Sequence, residues 1–102
     1  MNRAEILEAA KKCVCGDREE DYGSPEQNFQ TIANLWTAYM RCVSFNPSDV
    51  AIMLALVKIG RIASGRIKAD NAVDLAGYAA CAGEIWDQMC AIPTCDRIGS
   101  VR

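Results

Sequence analysis

Residues 70–86, Asp-Asn-Ala-Val-Asp-Leu-Ala-Gly-Tyr-Ala-Ala-Cys-Ala-Gly-Glu-Ile-Trp, restrict the fold more than any other part of the chain. Residues three or four apart share one face of a helix, so Asp70, Asp74 and Tyr78 form a polar stripe with Asn71 beside Asp74. Downstream, Ala76, Gly77, Ala79, Ala80, Ala82 and Gly83 leave little side-chain bulk, at the cost of two glycines of poor helix propensity. A helix this slim lets neighbouring helices come close and belongs inside a bundle. Its oxygen-rich beginning is then packing surface and candidate chemical site at once.

Two further helices announce their starts. Ser24 caps, Pro25 suits the first helical position and Gln27 stands at the capping-box position. Phe29, Ile32, Ala33, Trp36, Tyr39, Met40 and Val43 follow at three- and four-residue steps, which predicts a helix to about Cys42 with one apolar stripe. Asn46-Pro47-Ser48-Asp49 repeats the grammar, with an acid in the first turn where the helix dipole favours it. Residues 50–57 are apolar all round, so this third helix is expected to be buried on most of its circumference, with Gly60 and Ala63 admitting a close neighbour. Before these, Ala4, Ile6, Leu7, Ala10 and Val14 alternate with charges in a short amphipathic helix that Gly16 ends.

The expected architecture is all-α, a four-helix bundle-like domain over residues 1–90 with a loosely held tail over residues 91–102. Gly65 stops the third helix and Asp70 reads as the cap of the fourth, so the two form an antiparallel hairpin. A turn centred near Ile67 sets Arg61 level with Val73 and Asp74, and Lys58 one turn deeper near Gly77. Two cations then face the acid stripe.

At 102 residues, about half of them apolar, the chain sits near the size where a subunit interface often completes the core, and a homo-oligomer is expected. The formal charge of −2 gives no general pull toward nucleic acid or anionic lipid. The apolar run at residues 50–57 is too short to cross a bilayer and no membrane partner is expected. Six cysteines without a secretory leader read as free thiols in a reducing cytoplasm; Cys13-x-Cys15 lacks the spacing of a zinc or thioredoxin-like site. With no histidine and no glycine-rich phosphate loop, triad and P-loop chemistry are disfavoured.

What remains is oxygen chemistry. Asp70, Asn71 and Asp74 suit Mg²⁺, which takes one or two carboxylates, waters and phosphate oxygens. Lys58 and Arg61 are sensible phosphate contacts. Glu19, Glu20 and Asp21 offer a second set of carboxylates; Tyr22, between Asp21 and Gly23, can set its ring against a base or pack under the helix start, and Asn28 can hydrogen-bond a base edge or a backbone group. The same residues also have a purely architectural reading: Asp70 an N-cap, Asp74 paired with Arg61, Tyr78 a core aromatic, the 19–21 cluster solvated surface. Trp36 and Trp86 read as core or oligomer contacts rather than base-stacking platforms.

Arg18, Asp21-Tyr22-Gly23, Pro25, Asn28-Phe29, Ile32-Ala33, Leu35-Trp36, Tyr39, Asp49-Val50-Ala51, Met53, Lys58, Arg61 and Asp70-Asn71-x-x-Asp74-Leu-Ala-Gly-Tyr78 resemble a family of small uncharacterised all-helical proteins of tailed phages and prophages. More distantly the arrangement is similar to the MazG-type all-α nucleoside triphosphate pyrophosphohydrolases, oligomeric Mg²⁺ enzymes that carry Glu-x-x-Glu on one helix and Glu-x-x-Asp on the next. Here the second pair has a partial counterpart, Asn71-x-x-Asp74, and no Glu-x-x-Glu occurs on the second or third helix. An amide in place of a carboxylate removes one negative charge from such a site.

The resemblance implies a nucleotide-binding protein of bacterial host cytoplasm. As a hydrolase it would use Asp70 and Asp74 with Glu20 or Asp21 around Mg²⁺, and Lys58, Arg61, Asn71, Tyr78, Tyr22 and Asn28 around the nucleotide. The alternative is a non-catalytic anti-defence protein that sequesters a nucleotide signal or blocks a host or defence protein.

Overall fold

The computed structural model describes residues 1–16 and 24–90. Glu19, Glu20, Asp21 and Tyr22, and the tail expected over residues 91–102, lie outside the described residues. The architecture is all-helical: α1 (Arg3–Cys15), α2 (Pro25–Met40), α3 (Pro47–Ala63) and α4 (Ala69–Cys90), with no strand among the described residues.

Each of the first three helices opens on a reciprocal capping box. The Gln27 amide N–H donates to Ser24 Oγ at 3.2 Å while the Ser24 N–H donates to Gln27 Oε1. At α3 the Asp49 N–H donates to Asn46 Oδ1 and the Asn46 N–H to Asp49 Oδ2, both at 3.0 Å. The Ser48 hydroxyl adds a third bond to Asn46 Oδ1, at 2.6 Å. Asn2 and Glu5 make the same arrangement at α1, a start the apolar spacing alone does not reveal.

Helix ends differ from the sequence expectation where the chain must turn. α2 stops at Met40, because Arg41 takes φ 67° and the Cys42 N–H closes onto the Met40 carbonyl at 2.7 Å, a tight γ-type turn. The Phe45 N–H then donates to Thr37 Oγ1 at 2.9 Å, tying the connection to the helix it has left. The apolar stripe of α2 accordingly divides: Phe29 and Ala33 are buried and Ile32 and Trp36 half-buried, whereas Tyr39, Met40 and Val43 face solvent.

α3 ends in a Schellman motif. Gly65 sits at φ 95°, its N–H reaches the Ile62 carbonyl at 3.0 Å and the Arg66 N–H reaches the Arg61 carbonyl at 3.1 Å. The turn is therefore centred on Arg66, one residue earlier than the sequence reading. α4 begins at Ala69, which puts Asp70 inside the first turn and not at the cap. Asn71 is buried, and its side-chain amide donates to the Arg66 carbonyl at 2.7 Å, locking the turn onto α4.

The α3–α4 hairpin is the most extensive pairing, with α1 laid along α4 and α2 against α3. The core is Phe29 and Ala33 of α2, Val50 and Ala51 of α3, and Cys81, Ala82 and Ile85 of α4. Alanines at three of these positions keep the helices close, and Trp36 packs edge-on to Phe45 at 5.6 Å. Of the small residues in α4, Gly77 and Ala82 are buried, while Ala79, Ala80 and Gly83 are exposed, since they lie on the far side of the helical period. At Gly77 α1 comes close: a Cβ there would stand 3.3 Å from Val14 Cγ1.

The expected burial of α3 on most of its circumference does not occur within one chain. Val50, Ala51 and Ala55 are buried, but Met53, Leu56, Val57 and Ile59 are exposed, because the neighbouring helices cover only one side.

Candidate functional site

Lys58 of α3 and Asp74 of α4 stand equally far from Arg66, so the hairpin brings them level, and Lys58 Nζ lies 2.9 Å from Asp74 Oδ2. The ion pair is asymmetric: 12% of the Lys58 side chain is exposed against 38% of Asp74. The architectural reading of the sequence paired Asp74 with Arg61; with the turn centred on Arg66, Lys58 takes that place and Arg61 is exposed.

Asp74 also lines a cavity of about 480 Å³ where the end of α1, the first turns of α2, and the facing sides of α3 and α4 converge. Its walls are mainly apolar, with Val14, Phe29, Ile32, Leu54 and Val73 among them. Polar groups enter at a few points: Asn28 and Thr31 from α2, Asp74 and Tyr78 from α4. Tyr78 is held by its ring, tilted against Phe29 at a centroid distance of 6.3 Å. Apolar walls with few convergent polar groups are the usual make-up of a small-molecule site.

Of the residues singled out from sequence, Asn28, Asp74 and Tyr78 therefore share one cavity, with Lys58 directly behind Asp74. Asn71 is committed to the Arg66 carbonyl. Asp70 and Arg61 are exposed and do not line the cavity. Glu20, Asp21 and Tyr22 lie outside the described residues. The contribution of α1, through Cys13 and Val14, is absent from the sequence reading, because nothing local in that helix says which neighbour it lies on.

Asp74 already has an ammonium group on Oδ2, Asp70 stands outside the cavity, and no group of three or more His, Cys, Asp or Glu among the described residues is placed to hold a metal ion. A cation bound at Asp74 would have to displace Lys58 or sit beside its charge.

Cys81 closes the back of the cavity. Burial, then the nearby charges of Glu26, Glu84 and Cys15, push its thiol up to about 11 from 9.0, so at neutral pH it is a neutral packing group and not a nucleophile. Cys13, Cys15, Cys42 and Cys81 are all free, the first three exposed. No helix of the described residues is long and apolar enough to cross a membrane.

Residues 5–86 match the family model described as a domain of unknown function, DUF6378. The Gene 55 protein of Mycobacterium phage L5 is 46% identical over 74 residues, covering 72% of this chain and 47% of that protein. The Gene 55 protein of Mycobacterium phage D29 is 36% identical over 83 residues, covering 81% of this chain and 54% of that protein. The chain thus spans about half the length of the curated relatives it matches. No solved structure matches it. The matched span runs from α1 through Trp86 of α4 and takes in every wall of the cavity and the Lys58–Asp74 pair, and on that match the chain belongs to the DUF6378 family, with relatives in mycobacteriophages.

Proposed function

We propose that the chain is a MazG-like nucleotide-binding protein acting in the cytoplasm of a phage host, and that it binds without turning the nucleotide over. The observation that carries the reading is the cavity itself: Asn28, Tyr78 and Asp74 line one space, and Lys58 stands beside Asp74. The apolar walls and the Tyr78 ring suit the flat faces of a base, Asn28 its hydrogen-bonding edge, and Lys58, beside Asp74, a phosphate. Binding without turnover is favoured because the amide at Asn71 and the neutralised Asp74 leave the described residues short of carboxylates.

The test is thermal shift and calorimetric titration with linear and cyclic nucleotides, with and without Mg²⁺, alongside assays for released pyrophosphate and phosphate. At least one nucleotide is expected to raise the melting temperature and to be recovered intact. Asn28→Ala, an exposed position, is expected to weaken that binding at least tenfold with stability unchanged within about 0.5 kcal/mol. No shift with any nucleotide defeats the reading. Release of pyrophosphate in Mg²⁺ instead supports the hydrolase, with Glu20 and Asp21 joining Asp70 and Asp74 as its metal ligands. The phage relatives motivate a second reading, a blocker of a host or defence protein. A host protein retained by the Asn28→Ala variant as well as by the wild type would favour it.

A further inference from the structure

The side of α3 turned away from α4 carries Met53, Leu56, Val57, Ile59 and Gly60, all exposed, with Leu56 at 57% and Val57 at 50%. At the start of α3 this face runs into a second groove, about 450 Å³, between Val43, Phe45, Ile52, Met53 and Trp86. So broad an apolar face on a small chain marks an interaction surface.

We propose that this face is the contact between two copies of the chain, α3 against α3, antiparallel about a two-fold axis that passes between Leu56 and Val57. The reason for a second copy is that the face complements itself. A two-fold contact requires that if one residue meets another, the second meets the first in return. About that axis, Met53 and Gly60 are equidistant, so the long Met53 side chain of each copy enters the notch at Gly60 of the other. That notch is open: a Cβ built at Gly60 meets nothing within 4 Å. Leu56 meets Val57 across the centre. At the ends, the turn bearing Arg66 comes opposite Asp49, bringing opposite charges together, and Ile67, 83% exposed, arrives at the mouth of the second groove.

The inference stands apart from nucleotide binding and is tested without nucleotide, by sedimentation velocity with circular dichroism as the check on folding. The wild-type chain is expected to sediment as a dimer. Gly60→Leu fills the notch while meeting open space in its own chain, so helicity is expected to hold and the dimer to dissociate. Met53→Ala added to Gly60→Leu reverses knob and notch and is expected to restore the dimer. Leu56→Glu, at an exposed position, is expected to give a folded monomer. A wild-type monomer overturns the proposal, as does a dimer that survives both Gly60→Leu and Leu56→Glu. Loss of the dimer in Gly60→Leu without rescue by Met53→Ala overturns the register.

Discussion

Lys58 is the charge with the least access to water in the candidate site, at 12% exposed, and Asp74 is the group that makes its position tenable. Asp74→Asn leaves that ammonium without its counter-ion and is expected to lower stability by about 1–2 kcal/mol, less than a fully buried pair would lose because Asp74 is 38% exposed. Replacing both partners, as in Lys58→Met with Asp74→Leu, is expected to cost less than Asp74→Asn alone, since no unpaired charge remains; urea unfolding of the three variants measures this. Cys81 makes a second residue-scale prediction. Its folded value is raised to about 11, so the unfolded chain loses the thiol proton first as pH rises. The thiol's contribution to stability is fully present below about pH 9 and is lost as pH climbs toward 11. Cys81→Ala is expected to be less stable than wild type at pH 7 and to fall less steeply between pH 9 and 11, read from unfolding curves at matched pH. Alkylation at pH 8 is expected to modify Cys13, Cys15 and Cys42 well before Cys81.

α4 shows how one residue type does two jobs along a single helix. Gly83 is exposed and a Cβ there meets nothing within 4 Å, so only the poor helix propensity of glycine acts at that position. Gly83→Ala is expected to stabilise by roughly 0.5–1 kcal/mol. At Gly77 the same propensity gain is opposed by Val14 Cγ1 at 3.3 Å, on a β-branched side chain with little rotamer freedom. Gly77→Ala is expected to fall short of the Gly83→Ala gain, and the difference in unfolding midpoint between the two variants reports how tightly α1 is laid on α4. From sequence the two glycines look alike. Their difference is decided by α1, whose contact lies some sixty residues away along the chain. The capping boxes at Ser24 and Asn46 are the opposite case, since their hydrogen bonds close within three residues and need nothing else in the molecule.

At the scale of the whole molecule, the proposed pairing of α3 with a second copy makes stability depend on protein concentration. If folding and pairing are linked through that contact, the melting temperature of the wild type is expected to rise with protein concentration, and that of Gly60→Leu to be independent of it. The all-helical class, the helix starts at Ser24 and Asn46 and the hairpin of α3 with α4 were legible in the residues, because caps, prolines and apolar spacing act through local backbone chemistry. Lys58, Arg61 and Asp74 were legible as one neighbourhood, with Arg61 read as the partner of Asp74, since a short antiparallel turn brings mirrored positions level. The pairing depended on centring that turn at Arg66 instead of Ile67, and the Schellman closure at Gly65, with Asn71 bonded to the Arg66 carbonyl, decided it. The union of Asn28, Asp74 and Tyr78 in one cavity, and the division of α3 into a covered and an open side, came only with the tertiary arrangement. Both depend on which helix lies against which, a choice made by packing among residues far apart in the chain, and spacing within a single helix carries no record of it.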